Sequence, residues 1–149
     1  MPSIIPSYVY TLFASLIVGA IIVGGCTMET ENVRNEAVTQ QLSNIEEYVA
    51  AQSLAVITHV MEDSQNITQC LNVPAEVANQ VYWVSLSNGS FGAQVKSGLG
   101  SVIVINDQPG AVIPAQVAVS GVYCSGSGRA FLQCYVENQT VVLTLTSVT

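Results

Sequence analysis

The sequence predicts an α+β chain: one long N-terminal helix, hydrophobic and then amphipathic, packed on a small antiparallel β domain. Three observations predict it. Ile4 to Cys26 reads IIPSYVYTLFASLIVGAIIVGGC, with no Asp, Glu, Lys, Arg or His. Thr27 to Met61 has no Pro or Gly and carries apolar residues at helical spacing. From Gln65 onward, short β-branched and aromatic runs are separated by Gly, Asn, Asp and Pro. The chain therefore divides into a hydrophobic helix (1–28), its amphipathic continuation (29–63) and a β domain (64–149).

The hydrophobic helix comes first. A helix rises about 1.5 Å per residue, so Ile4 to Cys26 matches the ~30 Å hydrocarbon core of a bilayer. Pro2 and Pro6 suit only a helix start, which places the first turn between Ser3 and Ser7. Tyr8 and Tyr10 suit a membrane interface. Ser15 and Gly19, then Ala20 and Gly24, stand four apart, a spacing that lets helices approach closely. Gly24-Gly25 weakens a helix by about 1 kcal/mol per residue and marks an expected kink or melted turn. Ile5, Val9, Leu12, Phe13, Leu16, Ile17, Ile21 and Ile22 are the candidate residues for helix-to-helix packing.

Beyond it, Val38, Leu42, Ile45, Val49 and Val56 recur at steps of four and three, with Gln52 in the skipped place. This is the predicted seam against the β domain. Ala50 to Met61 is apolar on more sides, which predicts deeper burial. One helix is expected from about Ser7 to Val60, ended by Glu62-Asp63-Ser64.

Strands are predicted near Thr68–Leu71, Gln80–Leu86, Phe91–Lys96, Ser101–Ile105, Ala115–Tyr123, Arg129–Val136 and Thr140–Thr146. Ser87-Asn88-Gly89-Ser90, Ser125-Gly126-Ser127-Gly128 and Glu137-Asn138-Gln139 are read as hairpin loops, and Asn106 to Gly110 as a turn. Asn72 to Glu76 is expected to open a short helical turn. A β domain of this size is marginal alone, and the seam would complete its core.

Composition narrows the function. Charged residues make up 9% of the chain, against about 25% in typical domains. Ten acids and three bases give a net charge of −7. Nucleic-acid binding needs clustered Lys and Arg, and none are clustered here. The only histidine, His59, has no catalytic or metal-binding companion in sequence, and no phosphate-binding loop or nucleophile elbow occurs. Glu46-Glu47 are adjacent on a helix and point apart, so they are no acid/base pair. No enzyme, cofactor or metal site is expected.

Three N-x-[ST] sequons, at Asn66, Asn88 and Asn138, all fall at predicted turns or element ends and are candidate N-glycosylation sites. Of four cysteines, Cys124 and Cys134 flank the Ser-Gly loop. They could pair with each other, either could pair with Cys70, or all three could stay thiols. Val23-Gly24-Gly25-Cys26 loosely resembles a lipoprotein cleavage box, but no Lys or Arg precedes Arg34.

An uncharged helix, an amphipathic extension of it and a small β domain together resemble the type IV pilin superfamily. Its archaeal branch of pilins, archaellum filament subunits and archaellum accessory membrane proteins is the nearest in layout. The resemblance implies a pilin-like fold whose apolar half-helix sits in the cytoplasmic membrane and then in a filament core. The β domain would face outward, often glycosylated. It implies a homopolymer at the cell surface, with itself, the membrane and glycans as partners. Two features depart from the family pattern. Met1-Pro2-Ser3 leaves no room for a basic leader, and Ile4 to Tyr8 lacks the glutamate many bacterial pilins carry. The expectation is a filament of uncleaved subunits, or else a membrane-anchored accessory protein that binds a surface-layer or motor partner.

Overall fold

The computed structural model describes residues 4–63, 65–90, 92–103 and 110–148; for 4–7 and 28 only the helical backbone is described. Helix α1 runs Ile4–Asp63 without interruption. It passes through Gly24-Gly25, where the sequence suggested a break. The flanking Ile22, Val23, Cys26 and Thr27 are only middling helix formers, so the unbroken run of helix on both sides, rather than local propensity, carries the chain across a cost of about 1 kcal/mol per glycine. The chain forms two compact units, Met1–Ala37 and Val38–Thr149.

In the second unit, the end of α1 is followed by seven strands: β1 Ile67–Leu71, β2 Tyr82–Gly89, β3 Gly92–Leu99, β4 Ala111–Ile113, β5 Ala118–Cys124, β6 Arg129–Glu137 and β7 Thr140–Val148. They form one curled, mostly antiparallel sheet in the order β1-β6-β7-β5-β2-β3-β4. Strand residues alternate between a buried and a more open face, most clearly in β7. There Val141, Leu143 and Leu145 are buried and the residues between them are half-open. The inward set meets Ile45, Val49, Val56, Ile57 and Val60 of α1 in one core.

Both sides of the sheet are also tied to the helix by hydrogen bonds. On one side, the Ser97 amide and hydroxyl of β3 donate to Glu46 Oε1 at 2.7 and 2.8 Å. This amide lies beyond the last β3–β4 pair, Val95↔Ala111, so Glu46 satisfies a donor that β4 does not reach. On the other side, Gln69 Nε2 of β1 donates to Gln52 Oε1 at 2.6 Å, and the Asn72 amide donates to the Tyr48 hydroxyl at 3.4 Å. The sheet thus curls around one stretch of helix.

Several sequence expectations change. The Ser125–Gly128 loop is not a hairpin. It carries the chain past one strand position, and β7 inserts between β5 and β6. That insertion makes β5–β7 parallel, in register Ala118↔Val142 through Gly121↔Leu145, where an all-antiparallel domain was expected. Gly121 permits it. Its φ is +123°, and a Cβ there would collide with the Leu145 carbonyl oxygen.

Ser101–Ile103 is not a strand, and 104–105 lie outside the described residues, as does most of the expected turn from Asn106 to Gly110. The strand sits instead at Ala111–Ile113, too short for period-two alternation to show. Asn72–Glu76 forms no helical turn. A tight reversal follows, closed by Val77↔Gln80, with Ala78 and Asn79 at φ +52° and +60°. The β2–β3 hairpin is present, but pairing continues to Gly89↔Gly92. The β6–β7 hairpin closes on Asn138 and Gln139, both at positive φ, as a two-residue turn of the mirror-image type requires.

Gly121→Ala should therefore lower stability by about 3 kcal/mol or more, since it adds both a backbone clash and an unfavourable φ. The check is chemical denaturation of the detergent-solubilised chain followed by circular dichroism. An unchanged midpoint would show that β5 and β7 do not pair in this register.

Candidate functional site

The surface most unlike that of an ordinary soluble domain is the first half of α1. Val9, Leu12, Phe13, Leu16, Ile17, Ile21 and Ile22 are all exposed, Leu16 at 61% and Ile21 at 68%. Val18 and Val23 are exposed as well, so apolar side chains ring the helix on every side. Ile5 belongs to the helix, but its side chain lies outside the described residues. By length and composition this helix can cross a membrane.

Three of its hydroxyls are bonded back onto the helix. Ser15 Oγ donates to the Leu12 carbonyl at 2.9 Å, Thr27 Oγ1 to Gly24 at 2.9 Å and Val23 at 3.1 Å, and Thr30 Oγ1 to Cys26 at 2.7 Å. Hydroxyls bonded back onto helix carbonyls carry little penalty in an apolar medium. A Cβ at Gly19, Gly24 or Gly25 would meet no atom within 4 Å, so these positions are open to a neighbour's approach.

The second half of α1 is a different surface. Ile45, Val49 and Val56 are buried, Val49 to 1% exposure, while Val38 and Leu42 are half-buried against the same core. The named seam left out Ser53, Ile57 and Val60, all at most 1% exposed, within the stretch Ala50 to Met61 where deeper burial was expected. The step after Val49 is four rather than three, so Ser53 occupies the seam and Gln52 sits beside it. A serine at a core position masks that signal. Its hydroxyl is buried without a hydrogen-bond partner. Leu54 and Met61 are exposed, so burial after Ala50 is confined to one face.

The four cysteines are all thiols. Cys124 and Cys134 lie on β5 and β6 with β7 between them, at least about 9–10 Å apart across the sheet at the usual strand spacing, and the register separates them further along the strands, Cys134 facing Leu143 while Cys124 lies three residues past the Gly121↔Leu145 pair. That exceeds the ~7 Å Cα limit for a disulfide. Cys70 faces Phe131 in the β1–β6 register, three residues from Cys134, and β5 is three strands from β1. Burial pushes the Cys134 thiol upward.

Tyr82 and Tyr123 are held above the ordinary phenol range, first by burial and then by each one's anionic neighbour, Tyr123 and Cys124 respectively. The Tyr82 hydroxyl donates to the Pro74 carbonyl at 2.6 Å, and its amide donates to Ser125 Oγ at 2.9 Å. That pins the start of β2 to the Ser125 loop.

His59 is exposed, and among the described residues no group of three or more His, Cys, Asp or Glu is placed to hold a metal ion. Glu46 is engaged as a backbone cap and Glu47 is exposed. The three sequon asparagines are exposed: Asn66 before β1, Asn88 near the end of β2 and Asn138 in the β6–β7 turn. No family model, no curated protein and no solved structure matches this chain.

Two outcomes follow. Iodoacetamide at about pH 8 should label Cys70 in the native chain and spare Cys134 until denaturant is added, because a buried thiol with a raised pKa supplies little thiolate. Peptide mass spectrometry reads this, and equal labelling would remove Cys134 from the core. The raised tyrosine and thiol values favour the fold below their ordinary ranges. As pH climbs past about 9–10, the unfolded chain releases protons that the folded chain keeps, so stability falls. The denaturation midpoint should drop between about pH 9 and 11, and less steeply in Tyr82→Phe. Parallel curves would show that Tyr82 ionises freely in the fold.

Proposed function

We propose that the chain is a structural subunit of an extracellular filament of the type IV pilus or archaellum kind, its β domain outward and its N-terminal helices packed together in the core. The observation that carries this reading is that one continuous helix bears two apolar surfaces. The stripe from Ile45 to Val60 is buried under the chain's own sheet, while the ring from Val9 to Val23 is exposed. Burying a Val, Leu, Ile or Phe side chain is worth about 1.5–3 kcal/mol. Seven such residues, even at half that gain, rival the ~5–15 kcal/mol that holds a whole domain together. Water is therefore not the working environment of this stretch. Lipid before assembly and other copies of the same helix afterwards supply the apolar surroundings. The internally bonded hydroxyls of Ser15, Thr27 and Thr30 and the open surfaces at Gly19 and Gly24 support close helix packing.

A second reading rests on the same helix used as a lone membrane span. The chain would then be an anchored accessory protein whose β domain holds a surface-layer or motor partner.

Electron microscopy of material sheared from cells making the chain separates the two, with mass spectrometry of the filaments. Filaments containing the chain are expected. Leu16→Arg should abolish them, because it places an unpaired charge in an apolar core. Retention of the wild-type chain in the membrane fraction, with none in sheared material, would overturn the filament reading in favour of the accessory one.

A further inference from the structure

The sheet register brings together three residues that the sequence spreads over seventy positions. Asn88 lies two residues past Leu86, which pairs with Gly121; Gly121 pairs with Leu145, and Leu145 with Leu132. Asn88 is therefore level with Val119, Leu143 and Cys134. Ile67 of β1 pairs with Cys134, so Asn66 is one step nearer the same end of the sheet. Asn138 turns the chain at that end, just past the Glu137↔Thr140 pair. The C-terminal end of α1 arrives there too. An open cleft of about 570 Å³ is lined by Met61, Asn88, Gln116, Val117, Gln139 and Val141. The opposite end of the sheet, around Val81, Ser125–Gly128 and Val148, carries no sequon.

We propose that this end of the β domain is a single N-glycan-bearing face formed by Asn66, Asn88 and Asn138, with the cleft beside Asn88 seating the first sugar of its glycan. The proposal rests on the outward β domain of the filament reading. All three asparagines are exposed. The Val119 amide donates to Asn88 Oδ1 at 3.2 Å, which engages the amide oxygen and not the nitrogen that carries a glycan. The cleft combines the exposed Met61 side chain and the edges of the nearly buried Val117 and Val141 with the amides of Gln116 and Gln139. This mixture suits a sugar ring, with its apolar C–H face and hydroxyl rim. In the transfer, asparagine Nδ2 attacks the anomeric carbon of a sugar carried on a polyprenyl phosphate lipid. The Nδ2–C1 bond forms and the C1–O bond to phosphate breaks. The lipid phosphate leaves with the electron pair, and a transferase base takes the amide proton. A face so modified excludes contacts between copies, which leaves the sheet edges and its opposite end for them.

The test is mass spectrometry of intact glycopeptides from the full chain, exported in a host with its own asparagine-glycosylating transferase. Glycan is expected at all three sites. Asn66→Gln, Asn88→Gln and Asn138→Gln should each remove one increment of mass, as should Thr68→Ala, Ser90→Ala and Thr140→Ala. Glycan at none or only one of the three overturns the proposal. For the cleft, hydrogen peroxide should oxidise Met61 at least several-fold faster in Asn88→Gln than in the glycosylated chain. Equal rates overturn the seat. Unmodified chain in filaments would sink this proposal and leave the filament reading intact. Modified chain confined to membranes would do the reverse.

Discussion

The domain depends on burying one face of a helix in the hollow of one sheet. A sheet curled from seven strands exposes an apolar inner surface that it cannot cover itself, and a single helical stripe supplies the cover. Ile45, Val49, Val56, Ile57 and Val60 meet Tyr82, Val95, Leu132, Leu143 and Leu145 in one core. Polar bonds on both flanks then set how the helix lies. Glu46 serves the free amide of Ser97 on one side, and Gln52 meets Gln69 on the other. Neither bond is worth much alone. Each removes an otherwise unpaired group at the margin of the core, where an unmade bond costs more than a made one returns.

The path of the last two strands follows from the same need. β7 is the chain's richest alternation of inward aliphatic residues, and it takes a central place between β5 and β6. An edge position would leave one side of its ladder unpaired. To reach the centre it must run parallel to β5, and the backbone of β5 must allow close approach at Gly121. Among the described residues, Ser53 of the helix seam is where the core accepts an unmatched polar atom from the helix.

The two halves of α1 express one principle in two settings. Apolar surface in the second half is removed from water by the chain's own strands. Apolar surface in the first half is removed only by something the single chain does not contain. The hydroxyls of Ser15, Thr27 and Thr30 are bonded to their own helix, so these three ask nothing of that surrounding medium. This division of labour is the feature on which the proposed anchoring or assembling role rests.

The helix was legible in the sequence because its signals are local. An uncharged run, the absence of Pro and Gly from Thr27 to Met61, and a three-four spacing depend only on neighbours in the chain. Most strands were legible from β-branched runs and their turns, and the Asn138-Gln139 reversal sat where polar turn residues marked it. Long-range pairing was another matter. Ser125–Gly128 looks like a hairpin loop, because a short Gly-rich link says nothing about which strand lies beside the one it leaves. The insertion of β7, the parallel pair, the thiol state of Cys124 and Cys134, and the gathering of Asn66, Asn88 and Asn138 at one end all depend on strand order. Ser53 was hidden for a related reason: burial is a property of what packs opposite a residue, and a serine does not announce it. The sequence by itself determined where the helix and most of the strands form and where along the helix its apolar residues lie. Only the tertiary structure decided which strands are neighbours, because pairing is chosen by the total burial of the finished sheet and not by any segment alone.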